Sequence, residues 1–194
     1  MTAITRFISE YRTVDKERIS FAWNGKHAGE FSDANQEFRW AVAKGCIENP
    51  ALASTELFEH LFLADAEWSR QAWGAPDHFA DLGKALLLRG GCRAIDAFSA
   101  GFMVSFDTFG ACHQIRLPAD QLELLIADLK TRLGGDQDEK AKLRLESALE
   151  LFQKIQADTA TTGWQTLRPG AEVKNIRIVS PSWFQRLWGR VTGR

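Results

Sequence analysis

Apolar residues at helical spacing are the feature that most limits what this chain can fold into. Between Pro118 and Gly134 they recur every three or four residues, which places them on one face of a helix. The same spacing runs through residues 139–158 and about 51–73, with glycine or proline near the boundaries. Such breaks divide the chain into about six predicted helices, so helix packing has to build most of the core.

One segment near the N-terminus predicts strands instead. In residues 17–31 apolar residues alternate with polar or small ones on both sides of Asn24-Gly25, a pair typical of tight hairpin turns. Residues 173–179 show a similar pattern. We therefore predict an α+β fold that is predominantly helical, with about six helices and a small antiparallel sheet. An all-α fold is the alternative.

Residues 92–113 fit two structures. Their large apolar side chains step along the chain by 3, 4, 4 and 3 residues, which predicts a single helix; they are Ile95, Phe98, Phe102, Phe106 and Phe109. Alternation within residues 102–107 is also compatible with a strand. We favour the helix.

Charge is unevenly distributed along the chain and suggests a division into two parts. Residues 163–194 contain six basic residues and one acidic residue, whereas the whole chain carries a net charge of −1. Residues 1–162 are therefore acidic, and we predict a helical main domain there, followed by a basic extension. An acidic domain has no basic face with which to neutralise phosphates, so we expect no nucleic-acid partner.

The best-marked sequence motifs of enzymes and metal sites are missing, which excludes the classes that carry them but not enzymes in general. The three cysteines show no CxxC pattern, and no nucleotide-binding or hydrolase motif occurs. We accordingly expect no metal ion and no cofactor. The first residues lack the apolar segment of a signal peptide, and no uncharged run approaches the ~20 residues that span a bilayer. These observations predict a cytoplasmic protein.

The helix predicted over about 51–73 carries an acidic residue in the middle of its apolar face. A carboxylate at such a position is costly unless it is paired or hydrogen-bonded. We therefore expect Asp65 to be buried against a basic group, with Arg39, Arg89 and Arg93 as candidates.

The opposite, polar face of this helix groups Glu56, His60 and Glu67. Two carboxylates and an imidazole on one face can supply a general base or part of a ligand site, although a solvated helix face shows the same pattern. The possible pocket residues from this helix are Glu56, His60, Asp65 and Glu67.

A basic amphipathic sequence lies close to the C-terminus. After Ser182, a suitable helix cap, aromatic and aliphatic residues fall on one helical face and arginines on the other. The predicted partner-binding residues are Trp183, Phe184, Arg186, Leu187, Trp188 and Arg190. Such a helix can pack on its own domain, on a second copy, on a protein partner or on an anionic membrane surface.

Taken together, these patterns favour a non-enzymatic binding or adaptor protein that uses an aromatic surface and the C-terminal amphipathic helix. Seven Trp and thirteen Phe against one Tyr are typical of a core built from large aromatic side chains, and they also allow some of the rings to line a ligand pocket or an exposed docking surface. Two alternatives remain open: a small enzyme with a carboxylate and histidine site on helix 51–73, and a peripheral membrane-attached protein.

Overall fold

The computed structural model describes residues 2–161, with side chains to residue 158. This part of the chain contains eight α-helices and three short 3-10 helices, the latter at Thr13–Arg18, Ala28–Glu30 and Gly91–Ala94. The α-helices are α1 (Ala3–Glu10), α2 (Gln36–Glu48), α3 (Thr55–Gln71), α4 (Phe79–Gly90), α5 (Ile95–Phe102), α6 (Phe106–Cys112), α7 (Ala119–Leu133) and α8 (Glu139–Thr161). None of these helices, as far as they are described, is long and apolar enough to cross a membrane.

The predicted α+β class is wrong, because residues 2–161 contain no strand or sheet; the all-α alternative fits. The strand predicted over 173–179 lies outside the described residues, as does the segment predicted to form a C-terminal amphipathic helix.

Helix α3 forms the centre of the core, because its apolar face packs against both α4 and α5. It buries Leu57, Phe58, Leu61 and Phe62 completely. The ring of Phe62 stacks on Phe79 of α4 and on Phe98 of α5, with centroids 4.5 and 5.5 Å apart. The stack continues through Phe102 and Phe152. Much of the unusual phenylalanine content therefore fills the interior.

The segment predicted as a hairpin, residues 17–31, reverses direction without forming strands. A single antiparallel bridge joins Trp23 to Asp33, and the backbone N–H of Asn24 donates to the carbonyl oxygen of Ser32 at 3.1 Å. Gly25 has a φ of +76°, as a tight turn requires. The 3-10 helix Ala28–Glu30 then occupies the place of the returning strand, so pairing stops after one bridge.

Residues 92–113 do not form the single helix that their spacing predicts, nor a strand over 102–107. The chain breaks between α5 and α6, where Ser105 and Thr108 form a reciprocal capping box: each side-chain oxygen accepts the other residue's backbone N–H, at 3.1 and 3.0 Å. The new helix turns Phe106 outward, where 62% of it is exposed. The capping box at Ser105 and Thr108 thus starts a new helix, although the spacing of the apolar residues predicts one continuous helix.

Candidate functional site

A buried carboxylate at the centre of α3 joins two other parts of the fold, α2 and the segment before α4. The side chain of Asp65 is fully buried, and its Oδ1 accepts hydrogen bonds from Arg39 Nε at 2.7 Å and Trp40 Nε1 at 3.1 Å. Its Oδ2 lies 2.8 Å from Nε2 of His78, which precedes α4. The expectation that Asp65 is buried and paired with a basic group is confirmed, and Arg39 is the partner.

Arg39 connects this carboxylate to a second one in the segment that precedes α2. Its Nη2 lies 2.7 Å from Asp33 Oδ2, an ion pair whose angles fall outside hydrogen-bond geometry. The other oxygen of Asp33 accepts the backbone N–H groups of Ala22 and Asn35, at 3.0 and 3.1 Å. This buried network therefore fixes the irregular segment 20–35 against α2 and α3, and removing one member would leave each of its neighbours without one of its buried partners.

Six aromatic side chains lie on this fixed segment and on the two helices beneath it. We call them the aromatic surface: Phe21, Trp23, His27, Phe31, Trp40 and Trp68. Neighbouring rings contact one another along the whole series, with centroid separations between 4.9 and 6.5 Å. Its five Phe and Trp members are partly exposed, and His27 is exposed.

The three indole N–H groups of the aromatic surface are already bonded within the protein. Trp23 donates to the carbonyl oxygen of Lys26 at 2.7 Å, Trp68 donates to Gln36 Oε1 at 3.0 Å, and Trp40 donates to Asp65. These bonds hold the ring planes in position. What the Trp and Phe rings can offer to another molecule is therefore apolar contact and the π face, with no indole donor left to satisfy.

The polar face of α3 only partly forms the pocket that the sequence suggests. His60 and Glu67 line one groove of about 230 Å³ together with Lys16 and Phe21. Glu56 does not line it and instead accepts a hydrogen bond from Thr13 Oγ1 at 2.7 Å. Asp65 belongs to the buried network. The structure thus brings two of the four candidate residues together.

His60 is the group in this groove with the chemistry of a base near neutral pH. Its Nδ1 lies 2.7 Å from the hydroxyl of Tyr11. Burial lowers the pKa of His60, as does the positive charge of Lys16, while Glu56 opposes the shift. Burial also raises the pKa of Tyr11 to about 12, with Glu56 and Asp15 adding to the effect. Glu67 forms an ion pair with Arg70. The lowered pKa favours the neutral imidazole, and its other ring nitrogen can donate or accept one hydrogen bond with a small polar ligand.

The cysteines do not assemble into a site in the described part. Cys46 and Cys112 are buried thiols, and burial raises the pKa of Cys46 to about 12 and that of Cys112 still further. Among residues 2–158, no cluster of three His, Cys, Asp or Glu side chains has a geometry that could hold a metal ion.

Sequence reasoning identified Asp65 but missed the aromatic surface as a unit. Its rings come from an irregular segment and from two helices, and three of them, Phe21, Trp23 and Phe31, lie in the two strands of the predicted hairpin. The one available signal was the surplus of Trp and Phe. The predicted partner-binding residues near the C-terminus lie outside the described residues. They are Trp183, Phe184, Arg186, Leu187, Trp188 and Arg190.

Comparison of the chain with protein-family models, with curated proteins and with solved structures finds no match.

Proposed function

We propose that this chain is a non-enzymatic binding protein that holds a protein partner on its aromatic surface. The observation that carries the proposal is the continuous run of six rings, five of them partly exposed and His27 exposed, on segment 20–35 and the helices α2 and α3, which a buried ion-pair network fixes together. Aromatic anchors contribute most to protein interfaces when they are rigid before binding, because less side-chain freedom is lost on association.

The charges beside the rings favour a protein over a polyanion. Lys26 pairs with Glu30 on the segment that carries Trp23 and Phe31, and Arg70 pairs with Glu67 on α3. Both pairs are at least partly exposed and combine opposite signs. An apolar centre with a mixed-charge rim is typical of protein–protein interfaces, whereas phosphate backbones require a largely positive surface.

The basic aromatic sequence at residues 182–191 would supply a second contact in this proposal. Its support is the pattern of the sequence, in which rings and arginines occupy opposite helical faces. Two separate contacts on one chain correspond to an adaptor, since each contributes to the overall affinity.

Site-specific photo-crosslinking tests the proposal in cells of the source organism. A benzophenone amino acid replaces Phe31, an aromatic position at the centre of the surface. A matched chain carries it at Leu124, which is 60% exposed on α7. We expect discrete adducts from position 31 only, and we expect them to weaken when Trp23→Ala is added to the same chain.

Equal adducts from positions 31 and 124 would contradict the proposal, because they would report chance encounters with any exposed side chain. Persistence of the position-31 adducts after Trp23→Ala would also count against it. Mass spectrometry of the adducts then distinguishes a second copy of this chain from a different protein.

A further inference from the structure

The solvent-facing side of α4 combines charged and apolar side chains. Asp81, Lys84, Ala85 and Leu88 recur along it at intervals of three, one and three residues, which aligns them on one side of the helix. Beside this face lie the end of α2 and the turn that follows it. Together they enclose a groove of about 460 Å³. This volume falls in the range of small-molecule sites.

The floor of the groove is apolar. Ile47 from the last turn of α2 and Ala51 from the following turn face Ala85 and Leu88 of α4. Leu88 leaves 46% of its surface exposed. An aliphatic chain lying here would remove both its own surface and that of Leu88 from water.

Two cations line the same groove and retain free donors. Lys84 is half-buried, and within residues 2–158 no carboxylate lies within ion-pair distance of its ammonium group. Arg89 donates its Nε to the carbonyl oxygen of Ala53 at 3.2 Å, which orients the guanidinium while its two terminal nitrogens have no partner in that same part of the chain. Asp81 supplies a single opposing charge.

We propose that the α2–α4 groove binds a small aliphatic monocarboxylate. The carboxylate would lie on Lys84 and Arg89, and its chain would cover Leu88 and Ile47. Charge-assisted hydrogen bonds to a carboxylate are stronger than neutral ones, and the guanidinium fork matches its two oxygens. Both cations are needed, because the groove also lies near the C-terminal ends of α2 and α4, whose partial negative charges oppose an anion.

This inference is independent of the proposed function. None of the aromatic-surface residues lines the α2–α4 groove. Failure of one proposal therefore leaves the other unaffected.

Calorimetric titration with four probes of related shape tests the site. The probes are octanoate, octylammonium, octanol and acetate, which separate the anionic group from the aliphatic chain. We expect saturable one-to-one binding of octanoate, weaker binding of octanol, and no measurable binding of octylammonium or acetate. The double variant Lys84→Gln/Arg89→Gln should lose about tenfold or more in octanoate affinity.

Matched variants on α7 control for effects of charge and surface apolarity. Lys130→Gln removes an exposed cation elsewhere and should leave octanoate binding unchanged. Leu88→Asn should weaken binding, whereas Leu124→Asn on α7 should not. Nuclear magnetic resonance shifts on octanoate addition should cluster at residues 47–51 and 81–89.

Three results would overturn the inference. They are binding of octylammonium or octanol as tight as that of octanoate, octanoate binding by the double variant as tight as that by the parent chain, and resonance shifts that cluster away from the groove. Unfolding curves of the variants check that each one is folded, which is expected because Lys84 and Arg89 lie at the surface of the groove.

Discussion

A single buried carboxylate connects segments of this chain that are distant in sequence. Asp65 contacts Arg39 and Trp40 of α2 and also His78 before α4. We expect Asp65→Ala to lower the free energy of unfolding by ~3 kcal/mol or more, because it removes one of the two carboxylates that pair with a buried guanidinium and also leaves Trp40 and His78 without a partner for the same contacts. Urea unfolding followed by tryptophan fluorescence measures the loss.

A surface ion pair provides the matched comparison. Glu30 pairs with Lys26 at 2.6 Å, but both side chains are mostly exposed. Glu30→Ala should therefore cost about 0.5 kcal/mol or less, since water and salt screen the pair. Similar losses from Asp65→Ala and Glu30→Ala would show that the buried network does not hold the fold together.

Tyr11 can be titrated directly because it is the one tyrosine in the chain. Burial, with help from Glu56 and Asp15, raises its pKa to about 12. We expect the tyrosinate absorbance at 295 nm to develop near pH 12 in the native protein after a rapid pH jump. In concentrated guanidinium chloride it should develop near pH 10, the ordinary value.

The same shift determines how stability depends on alkaline pH. Between pH 10 and 12 the folded state keeps the phenolic proton while the unfolded state loses it, so the free energy of unfolding should fall as pH rises through that window. Replacing Tyr11 with Phe should reduce this slope. A native titration centred near pH 10 would mean that Tyr11 is not shielded as the structure indicates.

At the scale of whole helices, the approach of α5 to α3 depends on a glycine. A Cβ atom at Gly101 would lie 2.6 Å from Cε1 of Phe62, well inside van der Waals contact, and the ring is already stacked on both sides. We expect Gly101→Ala to lower the free energy of unfolding by ~1–3 kcal/mol through overpacking. Thermal or urea unfolding measures the change.

Replacing Gly110 of α6 with alanine is expected to raise the free energy of unfolding, the opposite of the effect at Gly101. A Cβ atom there meets nothing within 4 Å. Gly110→Ala should stabilise the protein by ~0.5–1 kcal/mol, because alanine loses less backbone freedom on forming a helix. If Gly101→Ala and Gly110→Ala changed the free energy of unfolding in the same direction, the close contact between α3 and α5 would not explain the effect of Gly101→Ala.

Helices with a continuous apolar face could be predicted from the sequence. In α7, Leu122, Leu125, Ile126 and Leu129 are buried, as their spacing indicates. The boundaries were less predictable: α3 begins at Thr55, because Ser54 accepts the N–H of Leu57 and caps the helix there.

The two wrong secondary-structure predictions, the hairpin over 17–31 and the single helix over 92–113, have local physical causes. In residues 17–31 alternating apolar residues belong to a loop whose backbone groups bond to the side chains of Asn24, Asp33 and Asn35, which competes with strand pairing. Near residue 105 a capping box interrupts an apolar period that would otherwise continue. Each outcome depends on side-chain hydrogen bonds that periodicity does not register.

At the scale of the molecule, the candidate site could be predicted only in part, because part of it depends on contacts between segments that are distant in sequence. Burial of Asp65 follows from its position on one helix. The aromatic surface instead requires that residues 21–31 fold over Trp40 and Trp68, which are far away in sequence. Contacts between segments become visible only when the tertiary structure brings them together.

The basic sequence near the C-terminus leads to a prediction about the whole chain. The buried apolar residues of the described part come from all eight helices, so we expect a chain that lacks residues 181–194 to unfold at the same temperature as the parent. If this segment acts at a membrane, which is the alternative to the second protein contact proposed above, the same deletion should remove binding to vesicles that contain anionic lipid, because it deletes two tryptophans and three arginines. Differential scanning calorimetry and vesicle sedimentation measure the two effects.

Charge reversal tests whether those arginines act through electrostatics. Arg186→Glu with Arg190→Glu should weaken binding to anionic vesicles by about 1 kcal/mol or more per site, since each basic residue near such a surface contributes about that much. Neutral vesicles serve as the control and should bind both chains equally weakly.

A lower unfolding temperature after the deletion would instead mean that residues 181–194 stabilise the fold itself, and a loss of self-association would mean that they join two copies. Either result would contradict a role at a lipid surface, whereas retained stability with lost vesicle binding would support one.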